Sequence, residues 1–239
     1  MTEGATTIDY VGSELELFAD AVNWKAYWAK ALRPFIGGDG IEVGAGIGTS
    51  TPYLLQGAPK SWLCLEPDPA LAAQIDARIA GQDLPAICRT QIGILADLPR
   101  SPQADTITYI DVLEHIEHDE AEIDEAAARL RPGGRIVILA PAFNLVFSPF
   151  DKAVGHFRRY SRRDEARLTR PGLRLDKSFY LDGVGLALSL SNRMILKSAM
   201  PTRQQIGFWD KHVIPLSRIT DAVTAPFFGR TIVVVLQKS

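Results

Sequence analysis

The chain of 239 residues alternates short apolar runs with longer amphipathic stretches. Runs rich in β-branched and aromatic residues predict strands, and apolar positions spaced three or four apart predict helices. Strands and helices that alternate in this way are typical of a parallel sheet with both faces covered by helices. The predicted strands cover residues 40–43, 62–65, 86–92, 106–109, 135–139, 173–180 and 230–236, and the predicted helices cover residues 51–56, 69–80, 119–130, 183–198 and 204–222.

The residues before the first predicted strand have a helical pattern of their own. Trp24, Tyr27 and Trp28 are spaced so that they lie on one helix face. This face either packs on the core or forms a lid over a bound ligand, and the spacing fits both. We expect one domain over residues 1–239, in which residues 1–38 form a helical cap.

A glycine-rich turn follows the first predicted strand. Gly44, Gly46 and Gly48 occupy alternate positions directly after an apolar run. Glycine has no Cβ and tolerates positive φ, so the chain can turn sharply here into a helix and a ligand can lie against the backbone. Glu66 follows Gly46 by 20 residues at the end of the second predicted strand, where an acid binds a ribose diol in nucleotide sites. The sequence therefore predicts a nucleotide-type cofactor.

The spacing of the turn separates two classes of cofactor. A nicotinamide dinucleotide fingerprint reads G-x-G-x-x-G, and Thr49 stands where its last glycine belongs. The chain reads G-x-G-x-G instead, with Glu42 two residues before the first glycine. This combination resembles the first motif of the class I S-adenosylmethionine-dependent methyltransferases. The alternative, a nicotinamide oxidoreductase, requires tight NAD binding and no affinity for S-adenosylmethionine.

The resemblance implies an α/β, Rossmann-like sheet of seven mostly parallel strands, with helices on both faces and an antiparallel last strand. It also implies that the turn contacts the methionyl part of S-adenosylmethionine. Many relatives have an aspartate after the third strand that contacts adenine, whereas this chain has Ile94, so adenine is expected against the Leu95 backbone, Pro67 and Ile94. The predicted cofactor-binding residues are Glu42, Gly44, Ala45, Gly46, Gly48, Glu66, Pro67, Ile94, Leu95, Asp111 and Val112.

A second motif follows the fourth predicted strand. The segment from Asp111 to Ile116 reads D-V-L-E-H-I and resembles a segment of many small-molecule methyltransferases. The resemblance implies that Asp111 and Val112 border the methionyl arm and that His115 points toward the acceptor. An imidazole that accepts a proton near neutral pH suits deprotonation of an acceptor hydroxyl. The alternative is that Glu114 and His115 only cap or orient the following helix.

The connection from Pro141 to Tyr160 is long and rich in aromatic residues, which is typical of a functional loop. It ends in G-H-F-R-R-Y, which resembles a segment of family members that serve glycan, lipid-linked or natural-product pathways. His156 is the second candidate catalytic residue, and Arg158, Arg159 and Tyr160 are candidate acceptor-binding residues. Because guanidinium groups match carboxylates and phosphates, an anionic acceptor is predicted.

Composition narrows the possible partners. The net charge of −2 and the pI of about 6.1 provide no field that attracts nucleic acid. Cys64 and Cys88 lie in apolar runs, as buried reduced thiols of a cytoplasmic protein do, and no Cys/His cluster has zinc spacing, so no metal is expected. No apolar run has the length of a membrane span.

The apolar stretch 181–200 predicts a core element or a homodimer face. The alternative is that an apolar acceptor docks against it.

These observations predict a methyltransferase that acts on a small molecule, at oxygen. Residues 39–140 form the expected cofactor-binding half and residues 141–239 the expected acceptor-site half. The Asn/Asp-Pro-Pro-aromatic turn of methyltransferases that modify nucleic-acid bases is missing after the fourth strand. The alternatives are N-methylation of a small amine and a non-catalytic protein that binds S-adenosylmethionine.

Overall fold

The computed structural model describes residues 13–195, 201–225 and 227–239. Its seven strands are β1 (Asp39–Val43), β2 (Ser61–Glu66), β3 (Cys88–Ile92), β4 (Ala104–Ile110), β5 (Leu130–Pro141), β6 (Leu173–Leu181) and β7 (Thr231–Lys238). They form one sheet in the order β3-β2-β1-β4-β5-β7-β6. The last strand, β7, runs antiparallel to both of its neighbours, and the remaining pairs are parallel. The predicted Rossmann-like topology is confirmed.

Helices cover both faces of this sheet. Along β5, Ile136 and Ile138 belong to one buried cluster, while Val137 and Leu139 belong to the other, because successive strand residues face opposite sides. None of the helices in the described ranges is both long and apolar enough to cross a bilayer. The helices are α1 (Ser13–Ala19), α2 (Val22–Leu32), α3 (Thr51–Leu54), α4 (Pro69–Ala80), α5 (Asp119–Arg129), α6 (Pro149–Ala153), α7 (Glu165–Leu168), α8 (Gly183–Ile195), α9 (Arg203–Phe208) and α10 (Ile214–Thr224).

Several boundaries differ from the prediction. The helix predicted over 204–222 is interrupted by a π-helical turn, Trp209–Val213. This wider turn places the buried Asp210 carboxylate against the start of α2, where it accepts hydrogen bonds from the backbone N–H groups of Asn23 and Trp24. Residues far apart in the sequence thus connect the π-helical turn to the start of α2. The local spacing of apolar residues gives no sign of such an interaction. The last three residues of the helix predicted over 183–198 lie outside the described residues.

The strands and the short helix also differ at their ends. The third strand begins at Cys88 because a turn closed by the hydrogen bond from Cys88 N to Pro85 O precedes it. The fifth strand is longer than predicted and starts at Leu130, which pairs with Ala104 of β4 before an irregularity, and the pairing resumes at Arg135. The helix α3 ends at Leu54 and continues as one turn of 3₁₀ helix.

The N-terminal helices have two roles in the packing. On α2, the Trp24 and Trp28 side chains are buried in the core, and the Trp24 ring lies 5.6 Å from that of Trp209. Tyr27 donates a 2.8 Å hydrogen bond to Asp221 of α10. On α1, Leu15 lies over the glycine turn. The aromatic face therefore packs on the core, and the helix before it covers the turn.

Candidate functional site

The strand order reverses between β1 and β4, and this reversal positions the site. Val43 at the end of β1 pairs with Tyr109 of β4, so the loops that follow both strands leave the same edge of the sheet side by side. Open α/β sheets bind their ligands in the crevice at such a reversal. The glycine turn leaves one side of this crevice, and the segment from Asp111 to Ile116 leaves the other.

The backbone conformation of the turn requires glycine. Gly44, Gly46 and Gly48 have φ values of 66°, 58° and 71°, in the left-handed region. A Cβ on Gly44 would lie 2.8 Å from Cγ2 of Val112, and a Cβ on Gly46 would meet the Leu15 side chain at 3.4 Å. The turn is thus packed between the loop after β4 and helix α1.

Glu66 is bound to the turn from the end of β2. Its Oε2 accepts a 2.7 Å hydrogen bond from Gly46 N, and its Oε1 accepts a 3.0 Å bond from Asp68 N. Burial raises the pKa of this carboxyl, and the two N–H donors oppose that rise. A carboxylate has about four lone-pair sites, so each oxygen keeps one for a further donor.

Glu42 lies inside the sheet rather than in the crevice. Its Oε2 accepts hydrogen bonds from Thr51 Oγ1 at 2.8 Å and from Trp62 Nε1 at 2.9 Å. The side chain is 2% exposed, and burial raises the pKa of its carboxyl to about 7. Glu42 connects β1, β2 and α3 from within, so its position suits shaping the turn more than touching a ligand.

The other predicted cofactor residues surround the end of β2. Ala45 is buried, and its N–H donates to Leu65 O at 3.1 Å. Pro67 is exposed, Ile94 is 50% exposed, and the Leu95 side chain is fully buried. The Ile94 N–H donates to Asp97 at 2.8 Å. An apolar rim thus stands beside Glu66, where the adenine was predicted.

Asp111 and Val112 form the wall opposite the turn. Asp111 has a φ of 54°, and its N–H donates to Leu139 O at 2.8 Å. A non-glycine residue in the left-handed region stores strain and is concentrated at functional sites. The Val112 side chain packs against Gly44. The structure thus brings the first two residues of the second motif against the glycine turn.

Lys25 is a residue of this site that the sequence reasoning missed. It lies on α2, is 6% exposed, and donates a 3.0 Å hydrogen bond to Ala19 O. Burial and the charge of Arg78 lower the pKa of its ammonium group to about 8, although the charges of Asp20, Asp210 and Asp111 oppose the shift. Arg78 in turn donates to Ile47 O in the turn. A lone lysine in a helical pattern gives no sequence signal of burial.

The long loop after β5 leaves and rejoins the sheet at one place. Tyr160 N donates to Pro141 O, and Phe143 N donates to Tyr160 O. Phe157 N donates to Glu114 O at 2.8 Å and binds the loop to the segment after β4. These contacts place His156 beside His115.

The two predicted catalytic histidines are neighbours. The rings of His115 and His156 meet edge to face with centroids 4.6 Å apart. His156 Nδ1 lies 2.9 Å from Oδ1 of the buried Asp151, and its Nε2 lies 3.9 Å from Glu114 Oε1. Burial and the nearby His156 lower the pKa of His115 to about 4, so His115 is neutral at physiological pH.

The predicted acceptor residues contact other protein groups. Arg159 bonds to both oxygens of Asp151, at 2.7 and 2.9 Å. Arg158 donates to the carbonyls of Ile116 and Glu117, and Tyr160 donates to Leu113 O at 3.0 Å. Arg158 and Tyr160 thus brace the loop against the segment after β4, whereas Arg159 braces the loop from within. Contact of these three residues with an acceptor stays a prediction.

Arg230 is the second residue that the sequence reasoning missed. It immediately precedes β7, and its backbone carbonyl accepts from Ala142 N at the ligand edge of the sheet. The guanidinium lies 5.0 Å from the centroid of the Trp209 ring. Burial lowers its pKa, while the charges of Asp182 and Asp111 raise it. Within the described part of the chain, no carboxylate forms a salt bridge with it.

Comparison with known proteins places this geometry in context. Residues 41–136 match the family described as "Methyltransferase domain". This range contains the glycine turn, Glu66 and the segment from Asp111 to Ile116. No curated protein matches the chain.

Solved structures share the fold at low sequence identity. A geranyl diphosphate methyltransferase in complex with S-adenosylmethionine is 15% identical, with a TM-score of 0.64 over 98% of this chain and 93% of its own. The mitomycin 7-O-methyltransferase MmcR is 15% identical, with a TM-score of 0.57 over 94% of this chain and 57% of its own. The [4+2]-cyclase SpnF is 13% identical, with a TM-score of 0.62 over 95% and 94%. These likenesses show a shared fold.

Proposed function

We propose that the chain, of which residues 41–136 match the methyltransferase-domain family, is a class I S-adenosylmethionine-dependent methyltransferase that methylates a small molecule at an oxygen atom. One observation carries the proposal: the glycine turn after β1, which Glu66 binds from the end of β2, leaves the same edge of the sheet as the loop after β4, where His115 meets His156 from the loop after β5. S-adenosylmethionine supplies an activated sulfonium methyl group when bound. The main contribution of the protein is therefore alignment, which provides roughly 7–11 kcal/mol in well-oriented reactions.

The residues of the turn fit the cofactor. The positive φ values of the glycines permit the tight turn that precedes α3, and Glu66 is fixed by two N–H donors. The remaining lone pair on each of its oxygens suits the two hydroxyls of a ribose. We assign Pro67 and Ile94 to the adenine, because they form an apolar rim beside Glu66.

Lys25 suits the carboxylate of the methionyl part. It is buried, and the charges that act on it are those of Asp20, Asp210, Asp111 and Arg78, of which Arg78 donates to Ile47 O in the turn. A buried ammonium is costly unless an anion accompanies it. A carboxylate near Lys25 would offset this cost, so we propose that Lys25 binds the cofactor from the helical cap.

The histidine pair suits activation of the acceptor. Asp151 fixes the His156 ring through Nδ1, and Arg159 and Ser148 fix Asp151 in turn. A ring held in this way presents its other nitrogen in one direction. We assign both His115 and His156 to the acceptor hydroxyl. Activation by such groups typically contributes ~10²–10⁴-fold, less than alignment does.

Arg230 supports an acceptor that carries an anionic group. The guanidinium groups of Arg158 and Arg159 are bound to protein oxygens. The guanidinium of Arg230 lies over the Trp209 ring, and among the described residues no side-chain hydrogen bond to it is seen. A guanidinium fork can bind a carboxylate or phosphate with two hydrogen bonds. Arg230 is therefore our candidate for the anion contact of the acceptor.

The experiment that tests the function uses S-adenosylmethionine with a ¹³C-labelled methyl group. The purified protein is incubated with it and with small molecules that co-purify with the native protein, and products are analysed by mass spectrometry and NMR. A labelled methoxy carbon supports the proposal. A labelled N-methyl carbon shows instead that the acceptor is an amine. Tight cofactor binding without any product favours a non-catalytic binding protein, and binding of NAD alone rejects the cofactor assignment.

A further inference from the structure

Glu114, His115 and His156 bring their side-chain ligand atoms together. One nitrogen or oxygen from each lies within 4.8 Å of the others. Glu114 is fully buried, and the histidines are half-buried. The first two residues lie in the turn after β4, and His156 lies in the loop after β5. Hydrogen bonding of Phe157 N to Glu114 O fixes these two segments relative to each other.

Both imidazole rings are oriented by a partner outside the cluster. His156 Nδ1 is 2.9 Å from Asp151 Oδ1, and Asp151 is held by Arg159. The His115 ring is hydrogen-bonded to the Val154 backbone. Histidines that bind metals almost always have their second nitrogen held by a carboxylate or a backbone carbonyl. The cluster therefore has the outer support of a metal site as well as its ligands.

From this arrangement we propose that Glu114, His115 and His156 bind one divalent transition-metal ion of the zinc type. Two imidazoles and one carboxylate form the donor set of catalytic zinc sites, which keep a fourth position open. Magnesium and calcium prefer all-oxygen sites and fit this set poorly.

The distance between the side chains of His156 and Glu114 fits a metal site better than a direct hydrogen bond. His156 Nε2 and Glu114 Oε1 are 3.9 Å apart, which is too long for a direct hydrogen bond. Two ligands on a tetrahedral zinc ion lie roughly 3.4 Å apart at ordinary bond lengths. A contraction of about half an ångström would bring this pair to that distance, within reach of side-chain rotation.

The consequence for catalysis rests on the proposed function, whereas metal binding does not. A metal ion at this place would bind the acceptor hydroxyl at its open position and lower the pKa of that hydroxyl. The proton would pass to solvent. The oxygen–methyl bond would then form as the sulfonium–methyl bond breaks, and S-adenosylhomocysteine would leave. Both histidines would act on the acceptor through the metal ion.

The test uses the full-length protein after treatment with a chelator. We expect titration with Co²⁺ to give visible absorption bands of a nitrogen- and oxygen-bound ion at one equivalent, and Zn²⁺ to displace them. We expect metal binding to weaken by at least about 10–100-fold in each of the variants His115→Ala, His156→Ala and Glu114→Gln. Removing a residue that only supports a metal ligand already causes a loss of this size. His118→Ala, at an exposed histidine of the same segment, should bind like the wild type. Circular dichroism shows which variants fold.

Two results overturn the proposal: a wild-type protein that binds neither ion, or a folded His115→Ala/His156→Ala double variant that binds both as the wild type does. Calorimetry with S-adenosylmethionine on the same preparations separates the two proposals. Cofactor binding without metal binding refutes the metal site alone. Metal binding without cofactor binding refutes the proposed function alone.

Discussion

The backbone N–H of Gly46 donates a 2.7 Å hydrogen bond to Oε2 of Glu66, and this bond joins the turn after β1 to the end of β2. The two residues are 20 positions apart in the chain, and the parallel pairing of β1 with β2 brings them together. The turn that would face the methionyl part and the acid that would bind the ribose are thus parts of one rigid unit.

The glycine turn can be tested by comparison with a glycine that faces no ligand. Gly46→Val should abolish binding of S-adenosylmethionine in calorimetry, because the added side chain would occupy the space between the turn and Leu15. Gly133 also has positive φ, at 79°, and a Cβ there would meet nothing within 4 Å. Gly133→Val therefore carries the same kind of backbone strain, about 1–2 kcal/mol. We expect it to bind the cofactor normally. Equal affinity of both variants would contradict the role of the turn.

Much of the fold could be predicted from the sequence, because the sheet is built from local signals. The apolar runs, the glycine turn and the Pro-Gly-Gly segment each act within a few residues. The break in the helix predicted over 204–222 could not be predicted, since the π turn places Asp210 against α2, 187 positions away from Asn23. Interactions between residues so far apart in the sequence do not show in the spacing of apolar residues.

Lys25 predicts how cofactor binding depends on pH. Its pKa is lowered to about 8 in the protein without cofactor, so the ammonium is charged at pH 7 and neutral at pH 9. A bound carboxylate stabilises the charged form and raises this pKa. Binding therefore takes up a proton above pH 8, and affinity should fall by up to about tenfold per pH unit there. Calorimetry between pH 7 and 9.5 measures this.

The matched variant for this prediction is Lys25→Met, which keeps the length of the side chain. We expect weaker cofactor binding at pH 7 and little change of affinity up to pH 9.5. A variant with the same pH dependence as the wild type would show that another group controls the affinity.

Glu42 predicts a pH dependence of stability. Burial raises its folded pKa to about 7, above an unfolded value near 4.3. The folded protein thus binds the proton more tightly, and this contribution is present at low pH and lost as pH rises toward 7. Glu42→Gln removes the charge and keeps an acceptor for Thr51 and Trp62. Its unfolding free energy relative to the wild type should rise by roughly 3 kcal/mol between pH 4 and pH 8.

Urea unfolding at both pH values measures this difference. Asp83→Asn, at an exposed acid beyond α4, controls for the general loss of a negative charge. A difference between Glu42→Gln and the wild type that stays constant with pH would contradict the assigned pKa.

The histidine pair predicts a loss of turnover without a loss of cofactor affinity. His115→Ala should slow methyl transfer by ~10²–10⁴-fold, whether the ring accepts a proton or holds a metal ion. The dissociation constant for S-adenosylmethionine should not change, since the turn and Glu66 are untouched. His118→Ala, at an exposed position, should keep its activity. Wild-type turnover of His115→Ala would remove this residue from the catalytic assignment.

The site could be predicted only in part, for a physical reason. His115 and His156 were predicted from motifs, and the structure brings them together. Lys25 and Arg230 carry no motif, because the roles proposed for them rest on burial and on the charges that surround them. Arg158 shows the converse: its guanidinium could bind an anionic ligand, yet it is already bound to two backbone carbonyls and to the Asp119 carboxylate. Residue type indicates what a side chain can do, and packing determines which contacts it makes.

Arg230 predicts how the acceptor is recognised. Arg230→Gln should raise the KM for an anionic acceptor by about 10–150-fold, the effect of losing a hydrogen bond to a charged group, and cofactor affinity should not change. Arg230→Lys keeps the charge but loses the planar fork, so we expect an intermediate KM. The acceptor identified by methyl labelling is the substrate for these measurements.

Arg158→Gln is the matched comparison, because it removes the same charge from the same side of the protein. Its guanidinium bonds to Ile116 and Glu117 and forms a 2.9 Å salt bridge with Asp119, so we expect a lower melting temperature and an unchanged KM. The opposite pattern would be a raised KM for Arg158→Gln and a normal KM for Arg230→Gln. It would show that the acceptor contacts the loop after β5, and that Arg230 only packs against Trp209.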